Sequence, residues 1–234
     1  MTILVVCAQP PPLRVREVEA VLLERGHRVL FLHPSEFPDP ARLSLRYGPG
    51  IHLGLHDHLD LGRVNAIWKQ GGSLRIPEGL DAELTHAVGQ ENSALFNGIL
   101  ACVPAFWLDD PWTMVQAAGS LLQRRLAWEF GLPLAGHDKK VCQHVAVIGS
   151  RLFPEPPPTL AAALQRWLDA LGVQAGTVLL GHQAESEAPP GADATSAELG
   201  LIRLIPGEWA ADVDVPPAWI ADVLTGVARR GGAA

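Results

Sequence analysis

The sequence predicts an α/β protein in two parts: an N-terminal open, mostly parallel sheet with flanking helices, then a small α+β C-terminal portion. Three observations carry that prediction. The chain opens on a fully apolar run from Thr2 to Cys7, the pattern of a strand covered on both faces in a parallel sheet. A stretch of helical spacing and a second apolar run follow at once, which gives a β-α-β start. Past Leu134 the composition shifts to shorter strands, one amphipathic helix and polar connectors. The expected domains are therefore residues 1–135 and 141–234.

Taken in order, residues 2–7 read as the first strand, followed by the turn Pro10-Pro11-Pro12. Val15, Val18, Val21 and Leu22 recur at helical spacing as far as Arg25, and Gly26 is a natural C-terminal stop. Arg28 to Leu32 is the second strand. Residues 42–47 and 51–56 alternate around Gly48-Pro49-Gly50, a hairpin signal. Leu59 to Trp68 leads into the strand Ala66-Ile67-Trp68, and Gly71 to Gly79 is a loop. A long helix from about Asp81 to Leu100 carries Leu84, Val88, Glu91, Leu95 and Ile99 near one stripe. Phe106-Trp107-Leu108 is a short strand, and Pro111 opens a helix expected to run unbroken to Phe130 and stop at Gly131. In the second part, Val141 to Ile148 and Arg151 to Phe153 are strands. Leu160 to Leu171 is a helix ended by Gly172, and Thr177 to Leu180 is a strand. Residues 182–196 are a polar loop, Leu199 to Ile205 a strand, and Pro217 to Arg229 a final helix.

The bulk numbers exclude several classes. Of the 234 residues 48% are apolar, so a substantial core can form. The net charge is −7, and the only lysines are Lys69, Lys139 and Lys140. A nucleic-acid groove or an anionic membrane surface needs a basic face, which this composition does not offer. Cys7, Cys102 and Cys142 are odd in number and form no C-x-x-C pair, which fits a reducing compartment. Cys7 and Cys142 lie in apolar strands and read as buried. The start lacks a basic n-region, and no apolar run reaches about 18 residues, so the expected location is the cytoplasm with no membrane span.

Several pieces then combine. They are the apolar opening strand; Val64-Asn65-Ala66-Ile67-Trp68 before a loop with Arg75 and Pro77; Glu91 in the long helix; Trp107 and Pro111; and Gln123-x-x-Leu126-Ala127-x-x-x-Gly131-Leu132. In this order they resemble the N-terminal, pre-ATP-grasp region of the ATP-grasp ribosomal peptide maturases, the microviridin or graspetide ligases. The C-terminal third resembles the same family more faintly. Val145 to Phe153 is similar to its "V-x-V-V-G-x-R-V-F" strand pair, Leu168-x-x-Leu171-Gly172-Val173 to its helix-to-strand step, and Leu201 to Trp209 to its "F-L-E-V-N-P-x-G-Q-W" segment.

The resemblance implies ATP-dependent activation of a carboxylate as an acyl phosphate, with Mg²⁺ held by hard oxygen ligands from L-E-V-N-P. At those two ligand positions this chain has Arg203 and Ile205. The family pattern A-x-x-K-x-x-Q is met by Ala117 and Gln123, but Ser120 replaces the Lys. Where the family inserts a nucleotide-binding subdomain, this chain has only residues 134–144 between Pro133 and Val145. No phosphate-cradling glycine motif takes its place. The expectation is a truncated, degenerate relative without catalytic or cofactor-binding residues, ATP and Mg²⁺ entering only if ligase chemistry survives.

Other residues offer candidate sites. Trp68, Lys69 and Arg75 lie at a strand end before a loop, where open α/β sheets bind ligands, and Glu91 could pair with one of the cations. They are the candidate ligand- or peptide-binding residues. His52, His56 and His58, with Asp57, share one face of an extended strand and could bind a metal; a hairpin face on water explains them equally. Trp107, Trp112, Trp128, Trp167, Trp209 and Trp219 read as packing residues, a subset at a subunit contact. No Ser-His-Asp arrangement or nucleophile elbow can be placed.

The functional expectation is a non-catalytic pseudo-ligase that binds a peptide, a metabolite or a partner ligase in a peptide-modification pathway, as a homodimer. Two alternatives stand beside it: an active ATP-dependent ligase with a rearranged or dimer-completed site, and a structural assembly subunit.

Overall fold

The computed structural model describes residues 1–38, 44–47, 51–55, 59–108, 110–135, 141–182, 199–207 and 214–227. The chain forms two compact units, Met1–Leu108 and Asp109–Ala234. This division falls earlier than the composition shift after Leu134. The reason is packing: the helices of residues 111–129 bury their inner faces against the second unit's sheet.

In the N-terminal unit, β1 (Thr2–Cys7), β2 (Arg28–Leu32), β6 (Ala66–Gln70) and β7 (Phe106–Leu108) form a parallel sheet in the order β2-β1-β6-β7. Ile3, Leu4, Val5, Val6 and Cys7 are all buried, because both faces of β1 are covered. On one face Leu4, Val6 and Ile67 pack with Phe96 and Leu100 of α2 (Ala82–Ala101). The other face carries Cys7, close enough to Glu19 of α1 (Leu13–Glu24) to feel its charge. Helix α1 stops as expected, at Gly26 in a left-handed conformation. The expected hairpin forms as β3 (Ser44–Tyr47) and β4 (Ile51–Leu55), extended by the short β5 (Leu59–Asp60).

Helix α2 begins where the sequence places it, with the Asp81 carboxylate accepting from Leu84 N–H at 2.8 Å. Its buried face is different from the expected stripe. Leu84, Glu91 and Leu95 face solvent, and the helix is anchored by Phe96 and Leu100 in its last turns. A stripe drawn through the leucines is about one residue out of register, because the N-terminal half of α2 meets the 71–80 loop rather than the sheet.

In the C-terminal unit, β8 (Val141–Ile148), β9 (Arg151–Phe153), β10 (Ala175–His182) and β11 (Leu199–Pro206) form an antiparallel sheet in the order β11-β10-β8-β9. One face, through Val145, Val147, Val178, Leu180 and Leu204, packs on helices α3 (Pro111–Ala117), α4 (Ser120–Glu129) and α5 (Pro158–Leu171). The other holds buried Ala146, Ile148 and Thr177 on the side of α6 (Pro217–Thr225). Arg151 fixes α6 to the sheet: Nη1 donates to Asp222 Oδ2 at 2.8 Å, and the guanidinium sits 5.0 Å from the Trp219 ring centre. Helix α6 is shorter than expected, since Gly226 takes the left-handed C-terminal position.

Two further expectations are corrected. The helix after Pro111 is broken into α3 and α4 at Ala118-Gly119, where Gly119 is extended and caps the second segment. Cys142 is exposed rather than buried, at the start of β8 where Val141 and Cys142 run past a register shift. Among the tryptophans, Trp167 is fully buried, whereas Trp112 and Trp128 face solvent.

Candidate functional site

In a parallel sheet the strand order decides where a crevice opens. From β1 the chain moves to β2 on one side and to β6 on the other, so the switch point lies beyond the carboxyl ends of β1 and β6. Val6 is paired with Lys69 and Cys7 with Gln70 at that edge. His33, at the end of β2, places Nδ1 3.0 Å from Cys7 O. The loop leaving β6 folds across the strand ends through Gly72, whose φ is +105°. A Cβ there would stand 2.9 Å from Pro34 and 3.2 Å from Ala8 N, so only glycine permits the approach.

Lys69 and Trp68 come from this strand end with opposite roles. Trp68 is fully buried and belongs to the packing of the sheet. Lys69 is half-buried, and its Nζ donates to Asn97 Oδ1 of α2 at 3.0 Å. Burial lowers its amine below the ordinary lysine value. Arg75 is an exposed residue of the loop, with its carbonyl accepting from Asn92 Nδ2 at 3.3 Å. Glu91 is exposed on α2, and the Lys69 amine goes to Asn97 instead. The pairing of Glu91 with Lys69 is thereby corrected: an amide, not a carboxylate, receives the amine. Of the histidines, His52 lies in β4, and His56 and His58 lie outside the described residues. Among the described residues no three His, Cys, Asp or Glu side chains are grouped to hold a metal ion.

One feature of this region was not visible in the sequence. The 71–80 loop and the N-terminal half of α2 enclose an open groove of about 790 Å³, with Leu74, Ile76 and Leu80 facing Thr85, Gly89 and Ser93. Gly89 lets the loop approach, since a Cβ there would meet Ile76 Cδ1 at 3.3 Å. Ser93 lies one helical turn before Asn97, so the groove runs toward the Lys69 amine. The only advance signal was a loop rich in glycine beside a helix whose leucines did not all fit one stripe.

The two motif strings of the C-terminal unit meet through one side chain. Gln123 on α4 is 3% exposed. Its Nε2 donates to Ala117 O at 2.6 Å and to Leu204 O at 3.0 Å, and its Oε1 accepts from Leu204 N–H at 2.9 Å. The amide thus pairs both backbone groups of Leu204 on the outer edge of β11, as a neighbouring strand would. Residues 133–135 close the same edge at Leu201, with bonds of 2.7 and 2.9 Å. Trp167 Nε1 completes the join by donating to Gln123 O at 3.0 Å.

Leu204 points into the core, so its neighbours Arg203 and Ile205 take the opposite face. They stand in register with Leu179 and Thr177, and these with His144 and Ala146. Arg203 is exposed, and so is Ser120 at the start of α4. A guanidinium repels a cation and an isobutyl-like side chain offers no donor atom, so this pair does not fit Mg²⁺.

No family model matches the chain, and no match is found among curated proteins. Solved structures do match it. The macrocyclase MdnC of Microcystis aeruginosa MRC, bound with precursor peptide MdnA, is 15% identical with a TM-score of 0.78, over 97% of this chain and 100% of that one. A RiPP-associated ATP-grasp ligase of Chryseobacterium gregarium, in complex with ADP and a leader and core peptide, is 14% identical with a TM-score of 0.79, over 98% of each chain. The macrocyclase MdnB of Microcystis aeruginosa MRC is 20% identical with a TM-score of 0.70, over 96% of this chain and 99% of that one. The fold of this chain is therefore that of the ATP-grasp peptide ligases, as the sequence motifs implied.

Proposed function

We propose that the chain is a non-catalytic ATP-grasp-like protein that binds a peptide in a peptide-modification pathway. The observation that carries the loss of chemistry is the Gln123 join. It holds the two motif strings in contact while Ser120, Arg203 and Ile205 replace the residues the ligases use. The frame around the motif is kept by hydrogen bonds that need no nucleotide. The truncated stretch between Pro133 and Val145 supports the same reading.

Peptide binding rests on the N-terminal unit. The groove beside α2 offers an apolar floor, and Lys69 and Arg75 at its margin suit carboxylates or backbone carbonyls of an extended segment. Solved structures of this fold hold precursor, leader or core peptides, which supports a peptide as the ligand. The test is binding to an array of short peptides, read by fluorescence anisotropy for those retained. Lys69→Ala/Arg75→Ala and Ile76→Asp should each weaken a retained peptide by about tenfold, or about 1.4 kcal/mol. Unchanged affinity in both variants would remove the groove from the proposal.

A further inference from the structure

The outer faces of α3 and α4 are apolar and uncovered. Trp112 is 68% exposed, Val115 71%, Leu121 84%, Leu122 40% and Trp128 81%. Their inner faces are committed to the core through Ala117, Gln123 and Ala127, so neither helix can turn these residues inward. The helices meet at Gly119, where Gln116 and Leu122 both crowd the backbone.

Surface area and charge name the occupant. With a buried tryptophan worth 150–250 Å², the five side chains present roughly 700 Å² of surface. That exceeds the largest apolar patch of an ordinary monomer and approaches the ~800 Å² per partner of a standard interface. Leu121, Arg125 and Trp128 fall on one stripe of α4, with Glu129 one turn beyond Arg125. Arg125 and Glu129 are both exposed, and they form no ion pair with each other. A two-fold axis across α4 would set Arg125 of each copy against Glu129 of the other, and two antiparallel copies satisfy both pairs at once. The stripe carries its own complement.

We propose that this face joins two copies of the chain into an isologous dimer, α3 and α4 packing against their symmetry mates. The inference goes beyond the peptide-binding proposal and is independent of it, since the groove lies in the other unit.

Light scattering behind size exclusion at micromolar concentration tests it. The wild type should give twice the 25.1 kDa chain mass. Leu121→Glu/Trp128→Glu should give the monomer with unchanged far-UV circular dichroism. If that variant aggregates or unfolds, the charge pair decides. Arg125→Glu and Glu129→Arg should each weaken the dimer at least about tenfold by opposing like charges, and the double swap Arg125→Glu/Glu129→Arg should restore it. A monomeric wild type overturns the proposal. So does a dimer that neither the apolar nor the charge variants disturb. Peptide binding by the monomeric variant would separate this outcome from failure of the groove.

Discussion

Replacing Gln123 by Leu should destabilise the C-terminal unit through its backbone rather than through its volume. The side chains are similar in size, so no large cavity forms. What is lost is the amide, which pairs Leu204 N–H, Leu204 O and Ala117 O at 2.9, 3.0 and 2.6 Å. A buried backbone group left without a partner costs about 1–3 kcal/mol. The two Leu204 groups lie at the sealed edge of β11, where Gln123 itself excludes water; the Ala117 carbonyl ends a short helix and can be resolvated. The two groups together give about 3 kcal/mol, or a fall in Tm of about 6–12 °C for a protein of this size. Urea unfolding followed by tryptophan fluorescence is the assay, because Trp167 reports on the same join. Ser120→Ala, three residues away and exposed, is the control and should stay within about 0.5 kcal/mol of wild type. A Gln123→Leu effect as small as the control would refute the view that the retained glutamine is a structural clasp.

Three further outcomes follow from the geometry. Arg151→Ala should cost about 1–2 kcal/mol in urea unfolding, since it strips Asp222 of its 2.8 Å partner and removes the cation beside Trp219. In a thiol titration of the native protein Cys102 and Cys142 should react, and Cys7 only on unfolding, because it is fully buried. Burial, and secondarily Glu19, push the Cys7 thiol from 9.0 to about 11. Folding holds that proton more tightly, so its contribution is complete below pH 9 and lost as the pH rises to about 11. Stability curves of wild type and Cys7→Ala should therefore converge across that window, and parallel curves would contradict the assignment.

The fold was legible wherever local pattern and burial agree. The β1–β2 start, the hairpin of β3 and β4, and Asp81 as a helix cap all follow from apolar runs and turn chemistry. Tertiary contacts decided the rest. No periodicity tells that α2 is anchored by Phe96 and Leu100 while Leu84 and Leu95 face water. The break at Gly119 is set by the Gln123 amide, which ends α3 from six residues away. Trp112 and Trp128 look like core residues by type, and their exposure reflects which face of each helix Ala117 and Ala127 already occupy. At the candidate site, Lys69 was legible from its place at a strand end. Its partner was not, because Asn97 reaches it across 28 residues. The groove beside α2 is a property of loop and helix together and leaves almost no trace in either sequence.

Isothermal titration of the protein with ATP, with and without Mg²⁺, tests the central claim most directly. A β11 face bearing Arg203 and Ile205 supplies no ligand for the metal, so Mg²⁺ should add nothing to any heat of ATP binding, and the melting temperature should be unmoved by the pair. Mg²⁺-dependent saturation with a matching rise in melting temperature would contradict the account and return this chain to the working ligases.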